Sequence, residues 1–225
     1  MAKASAKDAV ILVNGYALST YALSFEVNAD AGKIDVTGFT DGCQNSIPGM
    51  KNASITTELF WDIDADKTWT ALHTIGTTGQ VSILPQGGTA GYDAVSMPFT
   101  SINFNPHGSP SEAIKCGSIL FENYGTGTGM EFGDVLYHGT ATVSTTGTGI
   151  LDVSNAAATA TCGAVLHIWT ASTADTYAFK IMDSTDDITY ADLVSFTLNG
   201  SAIGSERVVV ASGTVDKYRK IVATR

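Results

Sequence analysis

The sequence is poor in charge. Lysine, arginine, aspartate and glutamate make up 15% of the 225 residues, against about 25% in an average soluble domain. Basic residues are the scarcer sign, 12 against 22 acidic ones, so the net charge is -10. Because nucleic acids bind mainly by exchanging counterions for lysine and arginine, tight non-specific binding of DNA or RNA is disfavoured. Neutral Thr, Ser, Gly and Asn must cover much of the surface, and such a surface opposes self-association less than a charged one.

Cysteines and long apolar runs are scarce as well. Cys43, Cys116 and Cys162 are an odd number, lie far apart and form no C-x-x-C pair. We therefore expect no disulfide framework, no zinc site and no cofactor. No run approaches the roughly 18 apolar residues that span a bilayer, and the stretch from Ala9 to Val13 is too short for the apolar region of a signal peptide. We expect a protein made in a cytoplasm, without a membrane partner.

What the sequence contains instead is a series of short segments rich in β-branched and aromatic residues, bounded by Gly, Asn, Asp or Pro. This pattern is typical of strands and turns and predicts an all-β protein. One segment departs from it, since Asp66 to Gly76 spaces Trp69, Leu72 and Ile75 at three-residue steps, which predicts one short helix lying against a sheet. The strands predicted in this part are Val10 to Val13, Tyr21 to Val27, Ile34 to Phe39, Ser54 to Trp61, Gln80 to Leu84, Asp93 to Asn105 and Ala113 to Phe121.

The composition changes near residue 138. Two tracts, residues 125–129 and 139–149, are dominated by Gly, Thr and Ser, and short apolar segments resume after them. We predict a first domain over residues 1–138 and a small immunoglobulin-like β-sandwich over residues 139–225. The strands predicted in the second domain are Gly149 to Val153, Ala160 to Thr170, Thr176 to Asp183, Asp192 to Leu198, Glu206 to Ala211 and Tyr218 to Thr224.

Motifs that would carry catalysis or metal binding are missing or incomplete. Asp62, Asp64 and Asp66 have the opening spacing of a calcium-binding EF-hand loop. Lys67 occupies the position of its obligatory glycine, however, and His73 that of its bidentate glutamate. There is also no G-x-S-x-G element and no histidine pair at metal-ligand spacing. We therefore do not expect an enzyme or a metalloprotein.

Four short motifs occur in a definite order in the first part of the chain. They are Val-Asn-Gly-Tyr-Ala-Leu-Ser from residue 13, Ile-Asp-Val-Thr-Gly-Phe-Thr-Asp from residue 34, Ile-Pro-Gly-Met-Lys-Asn-Ala-Ser-Ile from residue 47 and Glu-Leu-Phe-Trp-Asp from residue 58. Their order and spacing resemble the major tail proteins of siphophages over residues 10–76. One departure is Ile47-Pro-Gly, where the family pattern has a more polar approach to its Gly-x-Lys.

The resemblance implies a structural virion protein of the phage tail. In such a protein, subunits join their sheets into a closed β-barrel ring, expected to be a hexamer, and the rings stack into a tube through which DNA passes. Ring closure removes the exposed sheet edges that otherwise promote aggregation. The implied partners are further copies of the chain, the tape measure, tail terminator and distal tail proteins, and DNA during ejection.

Two sets of residues are expected to serve this assembly. The segment from Thr40 to Asn52 combines Gly and Pro with apolar side chains and is predicted to be a long loop that reaches a neighbouring subunit or ring. An acidic lumen would let DNA pass without holding its phosphates. The residues named for the loop contact are Gly42, Ile47, Pro48, Gly49, Met50 and Lys51, and those named for the lumen are Asp35, Glu58 and Glu112.

The second part of the chain carries a resemblance of its own. The segments Asp183 to Val194 and Tyr218 to Val222 are similar to β-sandwich modules appended to phage tail and other virion proteins. This implies that residues 139–225 decorate the outside of the tube and are dispensable for forming it.

Two alternatives remain open at this point. The second domain could bind glycans on a cell surface, with Trp169, Tyr177 or Tyr190 stacking against sugar rings. The whole chain could instead be a capsid decoration or head-completion protein, which shares the β-rich, weakly charged character.

Overall fold

The computed structural model of the chain describes residues 6–37, 43–125, 129–141, 145–146, 151–152, 158–159, 162–171, 175–210 and 214–225. Within these ranges the chain is built mostly of strands, which confirms the all-β prediction. One α-helix, α1 (Thr68–Leu72), and two 3-10 turns, Ala6–Asp8 and Ser19–Tyr21, complete the described regular structure.

The strands of the first part belong to one antiparallel sheet. In the described residues its order is β2-β1-β5-β6-β8-β4-β3, with β7 added beside β8 and β9 beside β6. The strands are β1 (Val10–Val13), β2 (Tyr16–Ala17), β3 (Ala22–Asp35), β4 (Ser46–Phe60), β5 (Thr78–Leu84), β6 (Asp93–Ser101), β7 (Asn105–His107), β8 (Lys115–Asn123) and β9 (Glu131–Asp134).

The predicted helix exists but is shorter than expected. Asp66, at which the predicted segment begins, has a positive φ of 63° and lies before the helix, whose N-cap is Lys67. Thr68 closes the turn instead, since its hydroxyl accepts a bond from the Asp62 N–H at 2.7 Å and donates one to the Asp62 carbonyl at 3.2 Å. Gly76, with φ of 81°, follows the segment as expected.

The longest hairpin differs from the prediction. β3 is one continuous strand where two were predicted, and β4 begins at Ser46 within the predicted loop. The pairs Ala31 with Lys51 and Lys33 with Pro48 place most of that loop in the ladder. The loop prediction was therefore wrong for residues 46–52, while residues 38–42, with Gly42, lie outside the described residues. Both faces of this ribbon are exposed, so it lacks the apolar alternation by which strands are recognised.

A single cluster of buried side chains forms the core of the large sheet. Phe99 and Phe121 meet edge to face with ring centroids 4.7 Å apart. β1 and β4 both contribute, although four strand spacings, about 19 Å in a flat sheet, separate them. The sheet must therefore fold over, so that one wall of β1 and β5 faces another of β4 and β8. The buried members are Ile11, Val13, Leu18, Ala53, Ile55, Leu59, Leu72, Val81, Ile83, Met97, Phe99, Cys116, Ile119 and Phe121.

The second part of the chain has its own strands and its own cluster. In the described residues one sheet runs β10-β18-β14-β15 with β11 beside β18, and two further pairs are β12-β17 and β13-β16. Ile181, Val194 and Phe196 form the cluster, against which Leu136 packs from before the predicted boundary. The division at residue 138 stays a prediction. The strands are β10 (Thr145–Thr146), β11 (Leu151–Asp152), β12 (Ala158–Thr159), β13 (Cys162–Ile168), β14 (Ala178–Ser184), β15 (Ala191–Ser195), β16 (Gly204–Val210), β17 (Thr214–Val215) and β18 (Tyr218–Thr224).

The antiparallel strand pair of β13 and β16 has two different faces. His167, Ser205 and Arg207 share one face, because His167 pairs with Ser205 and Val165 pairs with Arg207. Leu166 lies on the opposite face and packs on the second cluster. The strand period of two thus directs Ala164, Leu166, Val208 and Val210 to the second cluster and His167, Ser205 and Arg207 to the other side.

The face of this strand pair that carries His167 and Arg207 lies against the large sheet. Arg207 donates two hydrogen bonds to the Glu131 carboxylate, from Nε at 2.7 Å and from Nη2 at 2.5 Å. His167 Nε2 lies 2.8 Å from the Ser82 hydroxyl on β5. Burial lowers the pKa of His167 to about 4. The β13-β16 strand pair therefore joins the two parts of the chain through the bonds of Arg207 with Glu131 and of His167 with Ser82.

We expect the stability of the protein to fall with acidification because of His167. Its folded-state pKa of about 4 lies below the ordinary value of about 6.5, so between these values the unfolded chain takes up a proton that the folded chain excludes. Stability is therefore lost as the pH falls from about 6.5 towards 4, by roughly 2 to 3 kcal/mol in total. Urea unfolding of the wild type and of His167→Gln across this range measures the difference. His107→Gln, at an exposed histidine, is the control, and an unchanged pH slope in His167→Gln would contradict the account.

Candidate assembly interface

The edge of the large sheet at β3 is unpaired. β3 has 14 residues and pairs along one side with β4, and the described residues supply no strand for its other side. Between Ser24 and Ala31 the ladder with β4 runs without a register shift. At the opposite margin β2 has only two residues. A long regular edge exposes a row of N–H and C=O groups, which is a template for adding another strand.

Beyond the core, β3 and β4 continue as a two-stranded ribbon. We call residues 28–35 and 46–52 the distal hairpin. Every residue in these two ranges is exposed except Gly49, which is half-buried. β8 pairs with β4 only from Ser54 onward, so no third strand supports the ribbon in the described structure. An isolated two-stranded hairpin is at best marginally stable in water. We therefore expect contact with a partner surface to stabilise this ribbon.

The distal hairpin presents apolar side chains to solvent. Met50 is 90% exposed, and Ile34 and Ile47, which pair across the ribbon, are each 50% exposed. Pro48 and Lys51, which were also predicted to contact a neighbour, are exposed on the same ribbon. Four of the six residues named for that contact therefore lie together on an exposed surface, although on a strand rather than in a loop.

Gly49 and Asp35 shape the ribbon. A Cβ on Gly49 would lie 3.0 Å from the Gly32 carbonyl oxygen of the paired strand, so a larger residue would force the strands to shift. Asp35 accepts bonds from the Thr37 hydroxyl at 2.5 Å, the Thr37 N–H at 2.9 Å and Gln44 Nε2 at 3.0 Å. These bonds, those from Thr37 first, hold the pKa of Asp35 below its ordinary value. Asp35 therefore fixes the backbone at the end of the ribbon.

The side of β3, β4 and β8 that faces away from the core is acidic. Glu26, Asp30, Glu58 and Glu122 lie on it, and we call these four residues the acidic face. They share this side because the pairing of β4 with both β3 and β8 alternates them with core positions. From residue 24 to 30 of β3 and from 52 to 58 of β4 the outward positions hold no Lys or Arg. The other polar side chains on this stretch are Ser24, Asn28, Asn52, Ser54 and Thr56.

The three residues predicted to line a lumen do not come together. Glu58 lies on the acidic face, Asp35 lies on the distal hairpin, and Glu112 is exposed in the connection between β7 and β8. The sequence analysis did not name the other three members of the acidic face, Glu26, Asp30 and Glu122. Glu26 carried a signal, since Glu26, Asn28 and Asp30 alternate with apolar residues. Glu122 carried none, because only the pairing of β8 with β4 brings it to this face.

The three aromatic residues proposed for glycan stacking do not form a platform. Tyr177 is only 5% exposed and is a core residue, which corrects the prediction for that position. Trp169 is stacked on His138 with centroids 5.0 Å apart. The Lys220 ammonium lies over the Tyr190 ring, 3.4 Å from its centroid.

The described residues contain neither a cluster of metal ligands nor a membrane-spanning helix. Within the described ranges no group of three or more His, Cys, Asp or Glu side chains is placed to hold a metal ion. At the incomplete calcium motif, Asp62 Oδ1 accepts a bond from the Asp64 N–H at 2.9 Å, as in an ordinary turn. None of the described helices is long and apolar enough to cross a membrane.

Comparison with known proteins found similarity at the level of structure. No protein-family model matches the chain, and no curated protein matches it. A chain from the virion of a native gene transfer agent particle is similar, with 17% identity, a TM-score of 0.48, and coverage of 58% of this chain and 99% of that one. A chain from the tail of an empty gene transfer agent particle with C6 symmetry has 14% identity, a TM-score of 0.46 and the same coverage. The SPP1 Dit protein, described as a hub of the adsorption apparatus of phages that infect Gram-positive bacteria, has 14% identity, a TM-score of 0.31, and coverage of 96% and 98%.

We expect the acidic face to cost the isolated chain some stability. Glu26 pairs with Thr56 and Ser24 pairs with Glu58, so Glu26 and Glu58 are diagonal neighbours about 7 to 8 Å apart. Their repulsion across water is about 0.5 kcal/mol and is screened by salt. The double variant Glu26→Gln/Glu58→Gln should therefore be slightly more stable than the wild type in urea unfolding at 10 mM salt, and equally stable at 1 M salt. Glu112→Gln is the matched control, and a gain that persists at 1 M salt would contradict the electrostatic cause.

Proposed function

We propose that this chain is a self-assembling structural subunit of a phage virion tail, and specifically the major subunit of a tail tube. The observation that carries the proposal is the unpaired margin of β3 together with the distal hairpin that extends from it. In the proposed assembly, six copies form a ring, and rings stack into a conduit for DNA. The sequence motifs of residues 10–76 support the same assignment.

Ring formation would satisfy the open margin. A strand edge exposed over 14 residues promotes unlimited association unless another strand covers it. Joining the margins of identical copies around an axis covers each edge once and leaves none free, because the sheet closes on itself. Closed cyclic symmetry is also the common solution for oligomers of identical subunits.

The two walls of the folded sheet would then have different surroundings. The β13-β16 strand pair covers the outer side of β5 through His167 and is held to β9 by the ion pair of Arg207 with Glu131, so this wall would face the outside of the tube. The acidic face lies on the other wall and would line the lumen. The outward positions of residues 24–30 and 52–58 carry carboxylates and no lysine or arginine, and Lys115 lies only at the end of this wall, opposite Phe60. A wall with so little positive charge holds few phosphates, which favours rapid passage of DNA.

This assignment includes partners and a location. The chain would reside in the virion, bind further copies of itself along the tube, and meet the tape measure inside the tube and the terminator and distal tail proteins at its ends. A capsid decoration protein remains the alternative, and the symmetry of the assembly distinguishes it from a tube subunit.

We expect the distal hairpin to be required for tubes but not for folding. Because Ala31 pairs directly with Lys51, residues 32–50 can be replaced by Asn-Gly, which closes two paired strands as a two-residue turn. The core residues lie elsewhere, so the urea unfolding midpoint should change little. Electron microscopy should show hollow tubes of regular axial repeat for the full chain and none for the shortened chain.

Three outcomes would contradict this function. Normal tubes from the shortened chain would remove the hairpin from the assembly. A full chain that stays a monodisperse monomer at high concentration would reject self-assembly. Assembly without protection of the amides from Ser24 to Ala31 against hydrogen exchange would exclude the β3 margin as the contact.

A further inference from the structure

A cluster of aromatic rings lies at the end of β4 opposite the distal hairpin. Trp61 follows the last residue of β4, and its ring centroid lies 5.1 Å from that of Trp69 and 5.6 Å from that of Phe104. Trp69 and Phe104 are 5.9 Å apart, and His73 stacks on Trp69 at 4.7 Å. We call these four residues the aromatic end.

The aromatic end is partly open to solvent and is accompanied by exposed isoleucines. Trp69 is 38% exposed, Ile63 70% and Ile75 59%, and both isoleucines belong to the segments that flank α1. Ile114 is also half-exposed, and its carbonyl accepts a bond from the Trp61 N–H at 2.9 Å. Large apolar side chains grouped at a surface mark interaction sites more often than isolated ones do.

The position of the two surfaces determines which molecule can join them. Ile47 on the distal hairpin and Trp61 are 14 residues apart along nearly continuous strand, which corresponds to about 46 Å. One molecule therefore cannot bring its hairpin onto its own aromatic end. A second copy displaced along the direction of β4 can do so, and repetition of that displacement generates an open stack, because the contact uses two different surfaces.

Opposite charges lie near the two surfaces. The distal hairpin carries Lys33 and Lys51 besides Asp30 and Asp35. Lys51 projects from the face opposite to Asp30, because Asp30 pairs with Asn52, the next residue along β4, and Asp35 is bonded by Thr37 and Gln44. Asp62, Asp64 and Asp66 lie in the segment that leads from β4 into α1, beside the aromatic end. Opposite charges around an apolar contact favour one orientation of approach over others.

We infer that the aromatic end is the receptor for the distal hairpin of the next copy along the stack. Met50 and Ile47 of one copy bind against Trp69 and Ile75 of the other, while Lys51 lies near the aspartates. The inference rests on the proposed function and adds to it the surface that the hairpin binds. It also gives the stack a direction, because one end of the stack exposes a distal hairpin and the other end exposes an aromatic end.

The test uses one variant on each surface. Met50→Asp places a charge on the hairpin and Ile75→Asp places one beside the aromatic end, both at exposed positions where folding should be unaffected. Each variant alone should form rings, but its critical concentration for stacking should rise at least tenfold. Phe132→Ala, at an aromatic residue that is 71% exposed on β9, is the control and should stack like the wild type.

Mixing the two variants gives the sharper result. Ile75→Asp keeps an intact hairpin and Met50→Asp keeps an intact aromatic end, so the mixture should form stacks of two rings and no longer ones. Analytical ultracentrifugation and electron microscopy count the rings. Normal stacking by Ile75→Asp, or a mixture that stays as single rings, would overturn the inference while leaving the tube function in place. If the wild type forms neither rings nor stacks, the proposed function fails as well.

Discussion

An open sheet margin is the constraint on which the rest of this structure depends. The buried cluster comes mainly from β1, β5, β6, β8 and the second half of β4, with Leu18 and Leu72 added from outside these strands. β3 and the first half of β4 add little to that core, yet they make up the longest hairpin of the described chain. The peptide groups along the open margin of β3 hydrogen-bond to water in a single molecule and would bond to another strand in the proposed assembly. The fold is thus divided between strands that stabilise the molecule and strands that remain available for contact.

The C-terminal part of the chain determines which wall of the sheet remains available. Leu12 and Ser82 pair across β1 and β5, point away from the first cluster and are nevertheless buried. The β13-β16 strand pair covers this wall with a neutral histidine and an arginine held by Glu131. Covering one wall leaves the acidic face on the other as the exposed surface of the sheet. In the proposed tube, this arrangement determines which wall of the sheet would face the lumen.

Sequence patterns predicted the parts of the fold in which burial alternates, and they failed where it does not. β1 was predicted with its observed bounds, because all four of its residues are apolar and Asn14-Gly15 ends it. The loop predicted over Thr40 to Asn52 is wrong for the second strand of the distal hairpin, because Pro48 and Gly49 are typical turn residues and no apolar alternation runs through it. Glu58 was found from its charge, whereas Glu122 required the register of β8 on β4, a long-range property that local sequence does not contain. The aromatic end was missed because Phe104 comes from a distant segment.

Continuity of β3 couples the two directions of the proposed assembly. Residues 24–31 of this strand form the margin that would pair within a ring, and residues 32–35 continue into the distal hairpin that would contact the next ring. Pairing of the margin orders the base of the hairpin, which reduces the conformational entropy that stacking must still overcome. Stacking should therefore be weak for single molecules and strong for closed rings. A subunit built in this way assembles laterally first and axially second, which favours regular tubes over irregular aggregates.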